Sequence, residues 1–98
     1  MLRHVVMIKF RDDADAGARQ AVLDGLAALP PQVDQIRSYV FGADAGLRPD
    51  NFDVALVADF DTPEDFQAYV VHPAHQAFVT DVLSPVTAVR QAVQFAFE

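Results

Sequence analysis

The chain has 98 residues, of which 52% are hydrophobic, a formal net charge of −7 and no cysteine. These values predict a single domain over residues 1–98 with a small core, and they exclude disulfides, zinc–thiolate sites and thiol nucleophiles. The negative charge repels phosphate backbones, so we expect no nucleic-acid partner. No run is long enough to span a membrane, and without a signal peptide we expect a cytoplasmic protein.

The first half of the chain predicts a strand, a helix and a second strand. Leu2 to Phe10 alternates in the manner of a strand with one apolar face. Acidic residues then precede a helix over about Ala16 to Leu29, where they suit its N-terminus, and Pro30 ends it. Ile36 to Ala43 is a second, weaker strand.

The second half predicts a strand, an interrupted helix and a final strand. Phe52 to Phe60 is a strong strand, and Thr62 is typical of a cap for a helix that follows. That helix runs from Pro63 to about Val71, and Pro73 starts a second segment that runs to about Leu83. Val89 to Phe97 alternates again as the last strand.

The element order β-α-β-β-α-β predicts an α+β, ferredoxin-like sandwich with both helices on one face of an antiparallel sheet. Under the helices we expect the larger apolar face: His4, Val6, Ile8, Phe10, Val54, Leu56, Val93 and Phe95. The opposite face would hold Val5, Met7, Ala55, Val57, Ala92 and Ala96. Such a face would leave an apolar patch in water, so we expect a homodimer in which two sheets pack face to face.

Four titratable side chains fall where chemistry could occur. His72 precedes Pro73, which disfavours helical geometry, so we expect His72 to end one helical segment and cap the next. His75 begins an apolar stripe one turn from the helix N-terminus, where the helix dipole favours a neutral imidazole that can act as a base. Tyr69 also faces inward, and His4 lies on the strand face that the helices cover. These three side chains would therefore converge on one cavity.

The alternative is that His4, Tyr69 and His75 are ordinary core residues whose polar atoms are bonded to the backbone. Two histidines without an inward carboxylate make a poor metal site, so we expect no metal. The glycine-containing segment 42–46 lacks the Lys-Ser/Thr end of a phosphate loop, so we expect no nucleotide cofactor.

Two segments resemble a known family. They are His4-Val5-Val6-Met7-Ile8-Lys9-Phe10 and Tyr69-Val70-Val71-His72-Pro73-Ala74-His75-Gln76-Ala77-Phe78. Together they resemble the stress-responsive dimeric α/β-barrel domains, and the resemblance extends over essentially the whole chain. The family implies a ferredoxin-like protomer whose sheet packs on its twin to form a dimeric α+β barrel.

The second segment is especially similar to that of a plant member of the family, the polyketide cyclase that forms olivetolic acid. This resemblance implies catalytic roles for His4, Tyr69 and His75, with His75 as the base in an aldol-type cyclisation of a small hydrophobic or aromatic ligand and without a cofactor. The competing hypothesis is a non-catalytic stress-responsive protein in which the same side chains hold the helices on the sheet.

Overall fold

The computed structural model describes residues 1–98. Its strands and helices are β1 (Leu2–Phe10), α1 (Ala16–Ala28), β2 (Ser38–Ala43), β3 (Val54–Phe60), α2 (Pro63–Val71), α3 (Pro73–Phe78) and β4 (Thr87–Ala96). The four strands form one antiparallel sheet in the order β2-β3-β1-β4. The predicted ferredoxin-like α+β fold is confirmed.

Local signals start the helices where the sequence predicts them. The Asp15 carboxylate accepts a hydrogen bond from the Ala18 amide at 2.8 Å and caps α1. The Thr62 hydroxyl accepts one from the Asp65 amide at 3.1 Å and caps α2, with Pro63 at its first position. These caps fix the ends of the two helices that cover the sheet.

The core lies between the helices and one face of the sheet. On β1 that face is the predicted one, because His4, Val6, Ile8 and Phe10 are all buried. The other buried side chains include Val22, Leu26, Leu29, Val33, Val54, Leu56, Phe60 and Tyr69. No helix in the structure has the length and hydropathy needed to cross a bilayer.

The predicted orientation of β4 is wrong. Val93 lies opposite Val5, and Phe95 lies opposite Arg3, so both face away from the helices and are about half exposed (56% and 46%). The helix side of β4 carries Arg90, Ala92, Gln94 and Ala96, which contradicts the prediction that Ala92 and Ala96 lie on the opposite face. Alternation separates the two sets of side chains but does not say which set is covered.

Two features explain why the larger side chains of β4 are not in the core. β4 is an edge strand and carries no buried residue, so the helices do not cover it closely. The open face of the sheet is itself apolar, and Val40 and Met7 are exposed there beside Val93 and Phe95. On this face Arg3 makes a two-bond ion pair with the buried Asp59 at 2.8 and 2.9 Å.

The last helical segment is shorter than predicted. Regular α-helix ends at Phe78, and a wider π-helical turn over Val79–Leu83 follows, then a 3-10 turn over Ser84–Val86. Pro85 has no amide hydrogen to continue the ladder, which limits the helix there. Single π turns of this kind are frequent beside functional sites.

Candidate functional site

A cavity of about 210 Å³ lies between the sheet and the helical segments α2 and α3. Its walls are His4, Val6, Tyr69, Val70, His75, Phe78, Val79, Leu83, Arg90, Ala92 and Gln94. The three side chains singled out from the sequence, His4, Tyr69 and His75, therefore meet at one cavity. The π-helical turn also contributes to its wall through Val79 and Leu83.

His75 is held by a backbone carbonyl across the break between α2 and α3. Its Nδ1 lies 3.1 Å from the Val70 carbonyl oxygen. A carbonyl only accepts, so the neutral ring carries its hydrogen on Nδ1 and keeps the lone pair on Nε2. Burial lowers the pKa of His75, the bond to Val70 opposes that effect, and the positive charge of Arg90 adds to it. The half-buried imidazole is thus a neutral base at physiological pH.

Tyr69 lies beside this base. Its ring centroid is 4.3 Å from that of His75 and 6.1 Å from that of His4. Only 2% of the residue is exposed, and burial raises its pKa to about 12, so the phenol keeps its proton at neutral pH. The hydroxyl makes no hydrogen bond within the chain, yet it is not sealed from solvent as the Tyr39 hydroxyl is. It is a donor without a partner in the chain, on a residue that lines the cavity.

His4 completes the group from β1. The Gln94 side-chain nitrogen donates to its Nδ1 at 2.8 Å, which leaves the ring hydrogen on Nε2. Burial, followed by repulsion from the His75 ring when that ring is protonated and by the charge of Arg90, lowers the pKa of His4 to about 4. With 8% of the residue exposed, His4 is a buried neutral imidazole and a second potential donor.

His72 takes the structural role that its position predicts. It has extended backbone angles (φ −61°, ψ 134°), as expected for a residue before proline, and ends α2. Its Nδ1 accepts a hydrogen bond from the Ala74 amide at 3.1 Å, which caps α3. It does not line the cavity. The helix break therefore separates the two histidines into a cap and a cavity residue.

Sequence reasoning missed two polar side chains of the site, Arg90 and Gln94. Both lie on the helix side of β4, whereas the sequence predicts that this set of side chains lies on the opposite face. The strand carried only a weak signal: Arg90 and Gln94 share one face with the small Ala92, while Val93 and Phe95 lie on the other, which also contains Gln91.

The cavity opens outward past His75. An adjoining depression of about 320 Å³ shares four of its residues, Val70, His75, Val79 and Arg90. A larger depression of about 400 Å³ lies elsewhere, around Met7 on the open face, and contains none of the three candidate residues. No group of three or more His, Asp or Glu side chains in the chain is placed to hold a metal ion.

A profile of the family described as "Stress responsive A/B Barrel Domain" matches residues 2–97. The chain belongs to this family. An uncharacterised protein of Streptomyces coelicolor is 31% identical over 81 residues, which cover 81% of this chain and 84% of that protein.

Two solved structures illustrate the range of similar folds. A protein from Thermobifida fusca, described as a dimeric ferredoxin-like protein of unknown function, is 38% identical, with a TM-score of 0.90 over 98% of this chain and 90% of that chain. A hydroxynitrile lyase from Passiflora edulis is 17% identical, with a TM-score of 0.85 over 99% of this chain and 93% of that chain. At that identity the second likeness shows a common fold only.

Proposed function

We propose that the cavity binds a small apolar or aromatic carbonyl compound and that His75 acts on it as a general base, without a cofactor. One observation carries the proposal: a neutral imidazole with its Nδ1 hydrogen bound to the Val70 carbonyl packs against the ring of Tyr69, and both side chains line one cavity. At neutral pH both groups are already in the protonation state that the reaction needs: His75 can accept a proton, and Tyr69 can donate a hydrogen bond.

In the proposed reaction the Nε2 lone pair of His75 removes a proton from the carbon next to the carbonyl. The electron pair of that C–H bond moves onto the carbonyl oxygen, where the Tyr69 hydroxyl and the Nε2 hydrogen of His4 stabilise the negative charge. The enolate carbon then forms a bond to a second carbonyl carbon, whose oxygen receives the proton. Together these steps form a carbon–carbon bond by an aldol-type reaction. The segment that contains His72 and His75 resembles that of a polyketide cyclase with this type of chemistry.

A hydroxynitrile lyase has the same fold, so the fold can house an enzyme. A hydroxynitrile is the adduct of a carbonyl compound with cyanide, so cleaving it also needs a base: the base takes the hydroxyl proton as the C–CN bond breaks, and the leaving cyanide is protonated. The volume favours a small substrate, since about 210 Å³ is below the roughly 300–1,000 Å³ of sites for drug-sized ligands. A longer substrate would extend into the adjoining depression.

We also propose that two chains pair through the open face of the sheet to form the dimeric barrel. Exposed apolar side chains on that face include Met7, Val40, Val93 and Phe95, and a monomer seldom leaves such a group in water. The related Thermobifida fusca protein is described as dimeric. The cavity lies on the other side of the sheet, so pairing would leave its mouth open.

A non-catalytic role has its own supporting observation. Both imidazoles already join separate elements: His75 ties α3 to the Val70 carbonyl of α2, and His4 ties β1 to Gln94 of β4. In this alternative the hydrogen bonds hold the helices and the edge strand in place, and the cavity has no substrate.

The variant His75→Asn separates the two proposals. Its amide can still donate to the Val70 carbonyl but supplies no base. We expect the wild-type protein to accelerate exchange of the methyl protons of acetophenone in D2O, followed by NMR. We expect His75→Asn to lose about 10²–10⁴-fold of that acceleration with little change in melting temperature. His72→Asn is the matched control, because asparagine also caps helices and this position does not line the cavity.

Two outcomes contradict the catalytic proposal. One is exchange by the wild-type protein no faster than in buffer. The other is full exchange activity in His75→Asn. A large fall in melting temperature that His75→Ala shows and His75→Asn does not would support the structural alternative.

A further inference from the structure

Arg90 is the one charged side chain that lines the cavity, and it also lines the adjoining outer depression. It lies opposite Ile8 on the helix side of the edge strand β4. Because Arg90 lines both spaces, it stands at the border between them. No aspartate or glutamate lines either space.

The guanidinium of Arg90 has no partner in the chain, which distinguishes it from most other arginines. Arg3, Arg11 and Arg37 form ion pairs with aspartates. Arg19 donates to two backbone carbonyls. Arg90 takes part in no ion pair and no side-chain hydrogen bond, although acidic residues outnumber basic ones by 14 to 7.

The other titratable groups of the cavity leave this charge unbalanced. His4, His75 and Tyr69 are neutral at physiological pH, as argued above, so the cavity and its mouth carry a single positive charge. Charges elsewhere on the acidic surface are screened beyond about 8 Å at physiological ionic strength. An anion inside the mouth would therefore meet Arg90 before it meets the net negative charge of the protein.

We propose that Arg90 is the specificity residue of this site and binds the carboxylate of a monocarboxylic substrate whose apolar body occupies the inner cavity. This inference rests on the proposed function and narrows its substrate class. One guanidinium matches one carboxylate through two parallel hydrogen bonds. The inner volume suits a ring-sized body, because an apolar cavity of about 150 Å³ can hold benzene.

Benzoate and benzamide test the inference, since they have the same shape and differ in charge. Binding to the full chain is measured by titration calorimetry, and the ring signals of His75 in NMR show whether the bound probe reaches the inner cavity. We expect benzoate to bind wild type at least tenfold more tightly than benzamide. Arg90→Gln should remove that preference by weakening benzoate about tenfold and leaving benzamide unchanged. High salt should reduce the preference in wild type.

Arg48→Gln is the matched control, because it removes the same charge from an exposed arginine in the loop between β2 and β3, outside both spaces. Equal affinity of wild type for the two probes overturns the role of Arg90 and leaves the proposed function intact. Equal weakening of benzoate by Arg48→Gln also overturns it, because the effect would then be general charge. If benzoate depends on Arg90 but neither probe shifts the His75 ring, the proposed function fails while the anion site stands.

Discussion

At the scale of single residues, the site depends on which ring nitrogen of each histidine is already used. The Val70 carbonyl takes the Nδ1 hydrogen of His75, and the Gln94 amide occupies Nδ1 of His4. These bonds leave a lone pair on Nε2 of His75 and a hydrogen on Nε2 of His4. Burial keeps both rings neutral, because a charged imidazole is poorly solvated there. The same amino acid therefore offers a proton acceptor and a hydrogen-bond donor in the wall of one cavity.

His4 makes the stability of the protein sensitive to acid. Its pKa falls from 6.5 to about 4 on folding, so between these values the unfolded chain binds the proton and the folded chain does not. The free energy of unfolding should therefore fall as pH drops from 6.5 to 4, with a contribution from His4 on the order of 3 kcal/mol. Urea unfolding of wild type and His4→Gln at several pH values measures it.

His4→Gln removes this titration, while the carboxylates titrate alike in both proteins. The variant should lose less stability than wild type over that range. Parallel stability curves for the two proteins would mean that His4 is not held neutral by the fold.

Arg90 should act on the two imidazoles through its charge. It lowers the pKa of both His4 and His75, so Arg90→Gln should raise both values. NMR titration of the ring protons measures the shift, and Arg48→Gln serves as the control. An unchanged pKa would place the guanidinium farther from the rings than the structure does, and a fall in either pKa would contradict the assigned effect of its charge.

At the scale of elements, the close approach of α1 to Phe78 of α3 positions one wall residue of the cavity. A Cβ built on Gly25 of α1 would overlap the ring of Phe78, which lines the cavity. From the sequence, Gly25 only weakens a helix. In the structure its missing side chain gives room for the ring, so two helices can pack over the sheet with Phe78 between them.

Gly25→Ala should therefore destabilise the protein by about 1–3 kcal/mol, although alanine is the better helix former. Gly17→Ala is the matched control in the same helix. Its Cβ would meet only the Asp15 carboxylate at an ordinary 3.5 Å. That variant should be neutral or stabilise the fold by up to about 1 kcal/mol. Thermal or urea unfolding distinguishes them, and equal effects of the two substitutions would show that Phe78 moves aside freely.

At the scale of the whole molecule, the two faces of the sheet have different tasks. One face carries the helices and the cavity, and the open face presents apolar side chains to a second copy in the proposed dimer. The ion pair between Arg3 and Asp59 lies on this open face. The Ser38 hydroxyl donates a hydrogen bond to the same Asp59 carboxylate at 2.6 Å. Paired charges of this kind can remain in a buried interface, since each has a partner.

The substitution Val93→Glu tests the dimer. It places an unpaired carboxylate within the proposed interface, so we expect a monomer at micromolar concentration where wild type sediments with twice the chain mass. Val71→Glu is the control, because Val71 is equally exposed (61% against 56%) but lies on α2. A dimeric Val93→Glu, or a monomeric wild type, would contradict pairing through this face.

The sequence by itself determined the elements and the break that forms the site. Alternation in β1, the caps at Asp15 and Thr62, and the proline at position 73 act over a few residues. Their outcome can be predicted without knowing the rest of the fold. The placement of His72 as a cap and the inward direction of Tyr69 follow from the same local rules.

Only the tertiary structure decided which face of β4 is covered, and with it the roles of Arg90 and Gln94. Both sets of side chains on this strand contain apolar residues, so periodicity could not choose between them. Pairing with β1 places Gln94 opposite His4 and Arg90 opposite Ile8. The charge and the hydrogen bond that these residues bring to the cavity arise from contacts between residues up to 90 positions apart. No local pattern specifies such contacts.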